Sequence, residues 1–195
     1  MVEALESRAG VLLELLGERI DNFYFDSILV DLESGRVPAG VMWWAMHGLY
    51  GDKKILGRFF VRGGKMLKDL ESHRRLTREY LHRVGPIFGP RVLLVTEEIL
   101  TGESEEMIAE MLGEAGVETE IAAFGVDYDE YDRVVYGSGV NTTPAGIRLY
   151  LANWEVPLSL FGDLGRADNM RFDLWAQVEM GRHLAEKYRR ERQAK

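Results

Sequence analysis

The sequence predicts an α/β fold with a mostly parallel central sheet flanked by helices. Three observations predict it. Short runs rich in branched and aromatic residues occur at DSILV (26–30), RFFV (58–61), RVLLV (91–95) and ETEIAAFGV (118–126), and such runs bounded by turn residues read as strands. Helix-length segments separate them, and a strand–helix–strand rhythm calls for crossover connections between parallel strands. The first three strands each run into a turn-forming stretch: LESGRVPAG, RGG and TGES.

Each element has its own signal. Leu5, Val11, Leu12, Leu15, Leu16 and Ile20 recur at close to helical spacing, predicting a helix over 3–20. VMWWAMHGLYG (41–51) reads as a buried helix closed by glycine, with Trp43 and Trp44 in the core. KMLKDLESHRRLTREYLHRV (65–84) is amphipathic, and GPIFGP is expected to break it. The unbroken apolar run 91–95 predicts a strand buried on both faces. Residues 103–115 carry Met107, Ile108, Met111 and Leu112 on an inward face. RVVY (133–136) and VPLSLF (156–161) are further short strand candidates. GSGVNTTPAG (137–146) reads as a flexible loop, and a helix from about Phe172 to Arg192 closes the chain.

Composition narrows the function classes. Among 195 residues, 46% are hydrophobic and 29% charged, an ordinary globular balance. The net charge of −8 opposes a general nucleic-acid binder, which needs a basic face to release counterions. RRLTR (74–78) and KYRRERQAK (187–195) read as solvated helix faces. No apolar run reaches the length of a membrane span, and the N-terminus lacks the basic start of a signal peptide. The absence of cysteine removes disulfides, thiolate metal sites and a cysteine nucleophile. A cytoplasmic home is the simplest expectation. The four histidines, His47, His73, His82 and His183, show no metal-ligand spacing. Asparagine and glutamine occur only at Asn22, Asn141, Asn153, Asn169, Gln177 and Gln193, a scarcity that points to a thermophilic source.

Ligands of parallel sheets bind beyond the carboxyl ends of the strands, so the turns after Val30, Val61 and Val95 are the candidate site. In VLLVTEEILTGES (92–104) a buried strand meets acids and then a Thr/Gly/Ser turn opening a helix. Such a turn aims backbone N–H groups at an anion, aided by the macrodipole and by hydroxyls. Ser104 serves equally as a plain N-cap. A carboxylate at the strand end can accept ribose hydroxyls while the turn holds a phosphate on the same sugar. Asp127, Asp129, Glu130 and Asp132 form an acidic cluster after the fourth strand, read as a solvated turn.

This stretch resembles the phosphoribosyl pyrophosphate (PRPP) signature of type I phosphoribosyltransferases. The register sets Thr96 and Glu97 at the family's two acidic positions, Leu100 and Thr101 at its two threonines, and Ser104 at its final threonine. ILVDLESGRVPAGVMWWAMHG is similar to the family's first strand, pyrophosphate loop and following helix, with Pro38 in the proline place. FVRGGKMLK resembles its second strand running into a basic segment. The likeness spans residues 26–126, each motif in order. It implies phosphate binding by Thr101, Gly102, Glu103 and Ser104, and ribose or catalytic roles for Glu97 and Glu98. It also implies pyrophosphate binding by Ser34, Gly35, Arg36, Arg62 and Lys65. Judged alone, Arg62 and Lys65 are solvent-facing loop charges. The chain departs from the pattern where Thr96 replaces an acid and where Glu103 enters the phosphate loop.

The resulting expectation is a single domain over 1–195 with its core at about 26–136. The N-terminal helix and residues 137–195 form variable additions. The resemblance implies a protein that binds PRPP or a 5′-ribonucleotide and a nucleobase-like substrate, transferring phosphoribose with Mg²⁺, and forms a homodimer. The alternative is a non-catalytic nucleotide-sensing or protein-interaction module.

Overall fold

The structure, a computed structural model, describes residues 2–31, 36–61, 70–99, 102–126, 138–152 and 170–194. Helices α1 (Val2–Leu15) and α2 (Gly17–Asp21) precede strand β1 (Ser27–Asp31), helix α3 (Arg36–Tyr50), a 3₁₀ turn (Gly51–Lys53) and β2 (Gly57–Val61). Then come α4 (Leu70–Phe88), β3 (Arg91–Ile99), α5 (Glu103–Glu114), β4 (Glu118–Val126), β5 (Gly139–Thr142), β6 (Arg148–Leu151) and α6 (Met170–Gln193). The strands form one six-stranded sheet in the order β2-β1-β3-β4-β6-β5. Every pairing is parallel except β5 with β6.

Period-two alternation sorts the strand side chains into two cores. Ile28, Val30, Leu93, Val95, Ala122 and Phe124 pack with α1, α3 and α6. Leu29, Val92, Leu94, Ile121 and Ala123 pack with α4 and α5. Buried polar contacts tie the amino ends of the strands. Glu120 accepts from Arg19 at 2.7 Å and from the Tyr150 hydroxyl at 2.7 Å. Asp26 pairs with Lys54 at 2.6 Å and accepts the Arg91 backbone N–H at 3.0 Å.

Several expectations need correction. GPIFGP ends α4 as expected, but at its second glycine rather than its first, so Pro86 lies inside the helix. Pro86 and His82 are exposed, so water can satisfy the carbonyl that loses its bond. Gly85 serves packing instead: an added Cβ would lie 3.2 Å from Ala115 Cβ. The stop is Gly89, at φ +80, where a Cβ would come within 2.5 Å of Asp26. Strand β3 runs to Ile99 rather than Val95, and α3 opens at Arg36 rather than 41. The expected loop 137–146 contains β5, whose hairpin with β6 is closed by Thr143 and Ile147 backbone pairing at 2.8 Å. The N-terminal helix is two helices, and Trp43 and Trp44 are half-buried rather than core. The strand candidates 133–136 and 156–161 and the acids 127–132 lie outside the described residues.

Helices α3 and α6 approach closely where glycine removes side chains. A Cβ on Gly181 would lie 2.9 Å from the Ala45 backbone nitrogen, which cannot yield. A Cβ on Gly48 would meet only Ala185 Cβ, at 3.3 Å. Gly181→Ala is expected to destabilise the protein by about 1–3 kcal/mol through overpacking. Gly48→Ala should cost less, since a gain of up to about 1 kcal/mol in helix propensity offsets the milder crowding. Urea denaturation of both variants with unchanged m-values checks the contrast.

Candidate functional site

Parallel pairing places the carboxyl ends of β1, β2, β3 and β4 on one rim. β1 last pairs with β3 at Val30–Val95, while β3 continues beside β4 to Ile99–Val126. Residues 96–99 therefore continue beyond the last β1–β3 pair toward the rim. Arg36 opens α3 on the same side of the sheet, and its side chain lies outside the described residues. Ser34, Gly35, Arg62, Lys65 and Thr101 lie outside the described residues, as does the side chain of Glu98.

Neighbouring residues in extended backbone point to opposite faces, and this separates Thr96 from Glu97. Thr96 is fully buried and donates its hydroxyl to Glu105 Oε1 at 3.3 Å, joining β3 to the first turn of α5. Glu97 shares the face of Leu93 and Val95, which α1 and α3 cover. It is only 8% exposed, and its Oε1 accepts no hydrogen bond among the described residues. Burial pushes its carboxyl up to about 7, opposed by the Arg8 guanidinium nearby. Arg8, on α1, is buried as well; desolvation lowers its pKa and the Glu97 charge counters that.

Helix α5 is entered through Gly102 in the left-handed region at φ +77, a conformation that glycine adopts without strain. The Gly102 carbonyl accepts the Glu106 N–H at 2.9 Å, so Gly102 is the N-cap residue. Ser104 is thus not the N-cap but the second residue of the helix. Glu103, Glu105 and Glu106 all fall in the first turn and complement the positive end of the macrodipole. Glu103 is exposed, and with Glu106 and Glu110 it lines one wall of an open groove of about 340 Å³. Arg74 and Arg78 of α4 form the facing wall, so two cations oppose three acids across the groove.

Two site residues escaped the sequence reading. Arg8 and Glu105 each sit on an apolar helix stripe, Leu5–Arg8–Ala9–Leu12 and Glu105–Ile108–Ala109–Leu112. A charge at a core position of an amphipathic pattern was the available signal. Nearer the amino end of the sheet, Arg58 on β2 lies with its guanidinium 5.9 Å from the Trp43 ring centre and 5.3 Å from that of Phe60. Burial lowers its pKa, and it makes no ion pair among the described residues. Nothing in the spacing of GRFFV signals that environment. His47 stacks on Trp43 with ring centres 4.8 Å apart. Among the described residues no cluster of three His, Asp or Glu side chains is placed to hold a metal, and no helix is long and apolar enough to cross a membrane.

No family model matches the chain, and no curated protein matches it. A solved structure of a purine phosphoribosyltransferase from Pyrococcus horikoshii Ot3 is similar at 20% identity and a TM-score of 0.40. The likeness covers 79% of this chain and 92% of that one. At that level neither substrate nor residue roles carry over.

The raised pKa of Glu97 has a defined linkage. Between about pH 4.5 and 7 the folded state keeps a proton that the unfolded state has lost, so stability falls as pH rises through this window. The total loss is about 3 kcal/mol and levels off above pH 7. Glu97→Gln should flatten that part of the stability–pH profile. Urea midpoints from pH 4.5 to 8.5 check it, and an unchanged slope in the variant would assign the dependence elsewhere.

Proposed function

We propose that the chain binds a 5′-phosphorylated ribose, PRPP or a 5′-ribonucleotide, at the carboxyl rim of its sheet, as its resemblance to type I phosphoribosyltransferases implies. The observation that carries this reading is the β3–α5 connection. A central parallel strand ends at Ile99, and Gly102 turns left-handed into a helix of 12 residues on the same rim as the β1–α3 turn. In this reading Thr101, Gly102 and Ser104 hold the 5′-phosphate, with Glu103 in the same turn. Ser34, Gly35 and Arg36, with Arg62 and Lys65, take the pyrophosphate, and Glu97 meets the ribose.

Transfer of phosphoribose to a nitrogenous base is the activity that the resemblance implies. The protein's part would be positioning and electrostatic stabilisation of a sugar that gains positive charge as pyrophosphate leaves. In line with the resemblance, Mg²⁺ would accompany the ligand's own oxygens rather than sit in a protein cage.

One observation favours the second reading, a non-catalytic nucleotide sensor or interaction module. Glu97, the carboxylate that the resemblance assigns to the ribose, is buried beside Arg8, and burial pushes its carboxyl up to about 7. Three acids also occupy the first turn of α5.

Calorimetric titration with PRPP and Mg²⁺ tests the binding. Micromolar affinity that falls at least about 10-fold, or about 1.4 kcal/mol, in Thr101→Ala is expected. No heat up to millimolar ligand at two temperatures would overturn it. Given binding, Glu97→Ala separates the readings: an enzyme loses turnover, whereas a sensor has none to lose and retains the ligand.

A further inference from the structure

The outer surface of α4 carries a stripe that the fold leaves uncovered. Leu76, Tyr80 and Ile87 are 59%, 42% and 67% exposed, and Arg83 between them is exposed too. Their spacings of four, three and four residues put all four side chains on one helix face. The inward residues of the same helix, Thr77, Leu81, Gly85 and Phe88, are buried. Beside the stripe runs β2, the edge strand of the sheet. Its Phe60 is 41% exposed, and the Phe60 carbonyl accepts the Tyr80 hydroxyl at 3.4 Å. Among the described residues no strand pairs with the outer edge of β2, and aliphatic side chains exposed beside such an edge mark a surface that a partner can cover.

The order of residues in the stripe indicates which cover fits. Read in either direction it is aliphatic, polar-ringed or cationic, cationic or polar-ringed, aliphatic. Laid antiparallel on a copy of itself about a two-fold axis between Tyr80 and Arg83, Leu76 meets the partner's Ile87. Tyr80 then meets the partner's Arg83. The two-fold repeats both contacts, as an isologous interface requires. Arg83 makes no ion pair among the described residues, so its guanidinium is available to stack on a tyrosine ring. A parallel arrangement would instead set Arg83 against Arg83, a repulsive contact.

We propose that α4 is the self-association surface of this protein, and that its occupant is α4 of a second copy in antiparallel register. The dimer expected from the resemblance carried no surface; the stripe supplies one, and it stands independently of any ligand at the rim. The interface leaves the carboxyl rim of each copy's β1, β3 and β4 uncovered by the helix pair.

Sedimentation of the full chain across a dilution series tests the proposal, with Ile87→Glu and Leu76→Glu as variants. Each substitution enters the interface twice and should weaken association at least about 100-fold. Both positions are exposed, so near-unchanged thermal melts are expected to show that folding survives. Register is tested by crosslinking, since the chain contains no cysteine. Leu76→Cys with Ile87→Cys in one chain should give a covalent dimer with a short bis-maleimide. Either single variant should not, because identical positions on the antiparallel helices stand ~16 Å apart along the axis. A further double variant, Tyr80→Arg with Arg83→Tyr, preserves the cross-pairing and should remain dimeric. A wild-type monomer at every concentration, a dimer that survives both glutamate variants, or efficient crosslinking through one position alone would overturn the proposal.

Discussion

Strand β3 has a parallel partner on each edge, β1 and β4, and a helical layer on each face. Its register therefore determines which residues enter which core. A slip of one residue would send Val92 and Leu94 to the wrong layer and exchange the sides of Thr96 and Glu97. Beyond its last β1 partner, β3 continues beside β4 alone among the described strands, to Ile99. The same extension delivers Gly102 to the point where α5 begins. Fold and candidate site thus share one constraint, the burial of a nine-residue strand on both faces.

Two buried acids near that strand are handled differently. Glu105 receives a hydroxyl from Thr96, which anchors α5 and occupies a carboxylate beneath its first turn. Glu97 has Arg8 as its compensating charge, while its Oε1 accepts no hydrogen bond among the described residues. Burial of a charge without full hydrogen bonding favours the neutral form. A carboxyl held near neutrality at a strand end is where perturbed groups of functional sites are found, though buried ion pairs of structural purpose share that signature. The rim consequently combines the geometry of an anion site with an electrostatic character that acids dominate.

The two helical layers meet different needs. On one side α3 and α6 come close through Gly181 and Gly48, and α6 reaches back to α2 through Tyr188 and Arg192. These contacts knit the layer together, while Leu174 and Trp175 of α6 stay exposed. On the other side α4 covers Leu29, Leu94 and its neighbours with one face and presents aliphatic residues on another. An amphipathic helix normally has one apolar stripe; α4 also exposes Leu76 and Ile87 on another face, beside the edge strand β2.

The sequence by itself determined the four parallel strands, the crossover helices and the rim as the place to look. Unbroken apolar runs and Gly/Pro turns are local signals that survive whatever the rest of the chain does. It also marked Glu97 and the TGES turn by residue type alone. Strand β5 was illegible, because GVNT alternates half-buried with exposed residues and has no apolar run, whereas β6 had a signal in the apolar run IRLYLA (147–152) that the reading passed over. Pro86 misled because its cost depends on whether water reaches the orphaned carbonyl, which only the position of α4 on the surface settles. The partners of the acids were decided by tertiary structure alone. Arg8 and Glu97 are 89 residues apart in the chain, and long-range proximity, not local pattern, determines whether a buried charge is compensated.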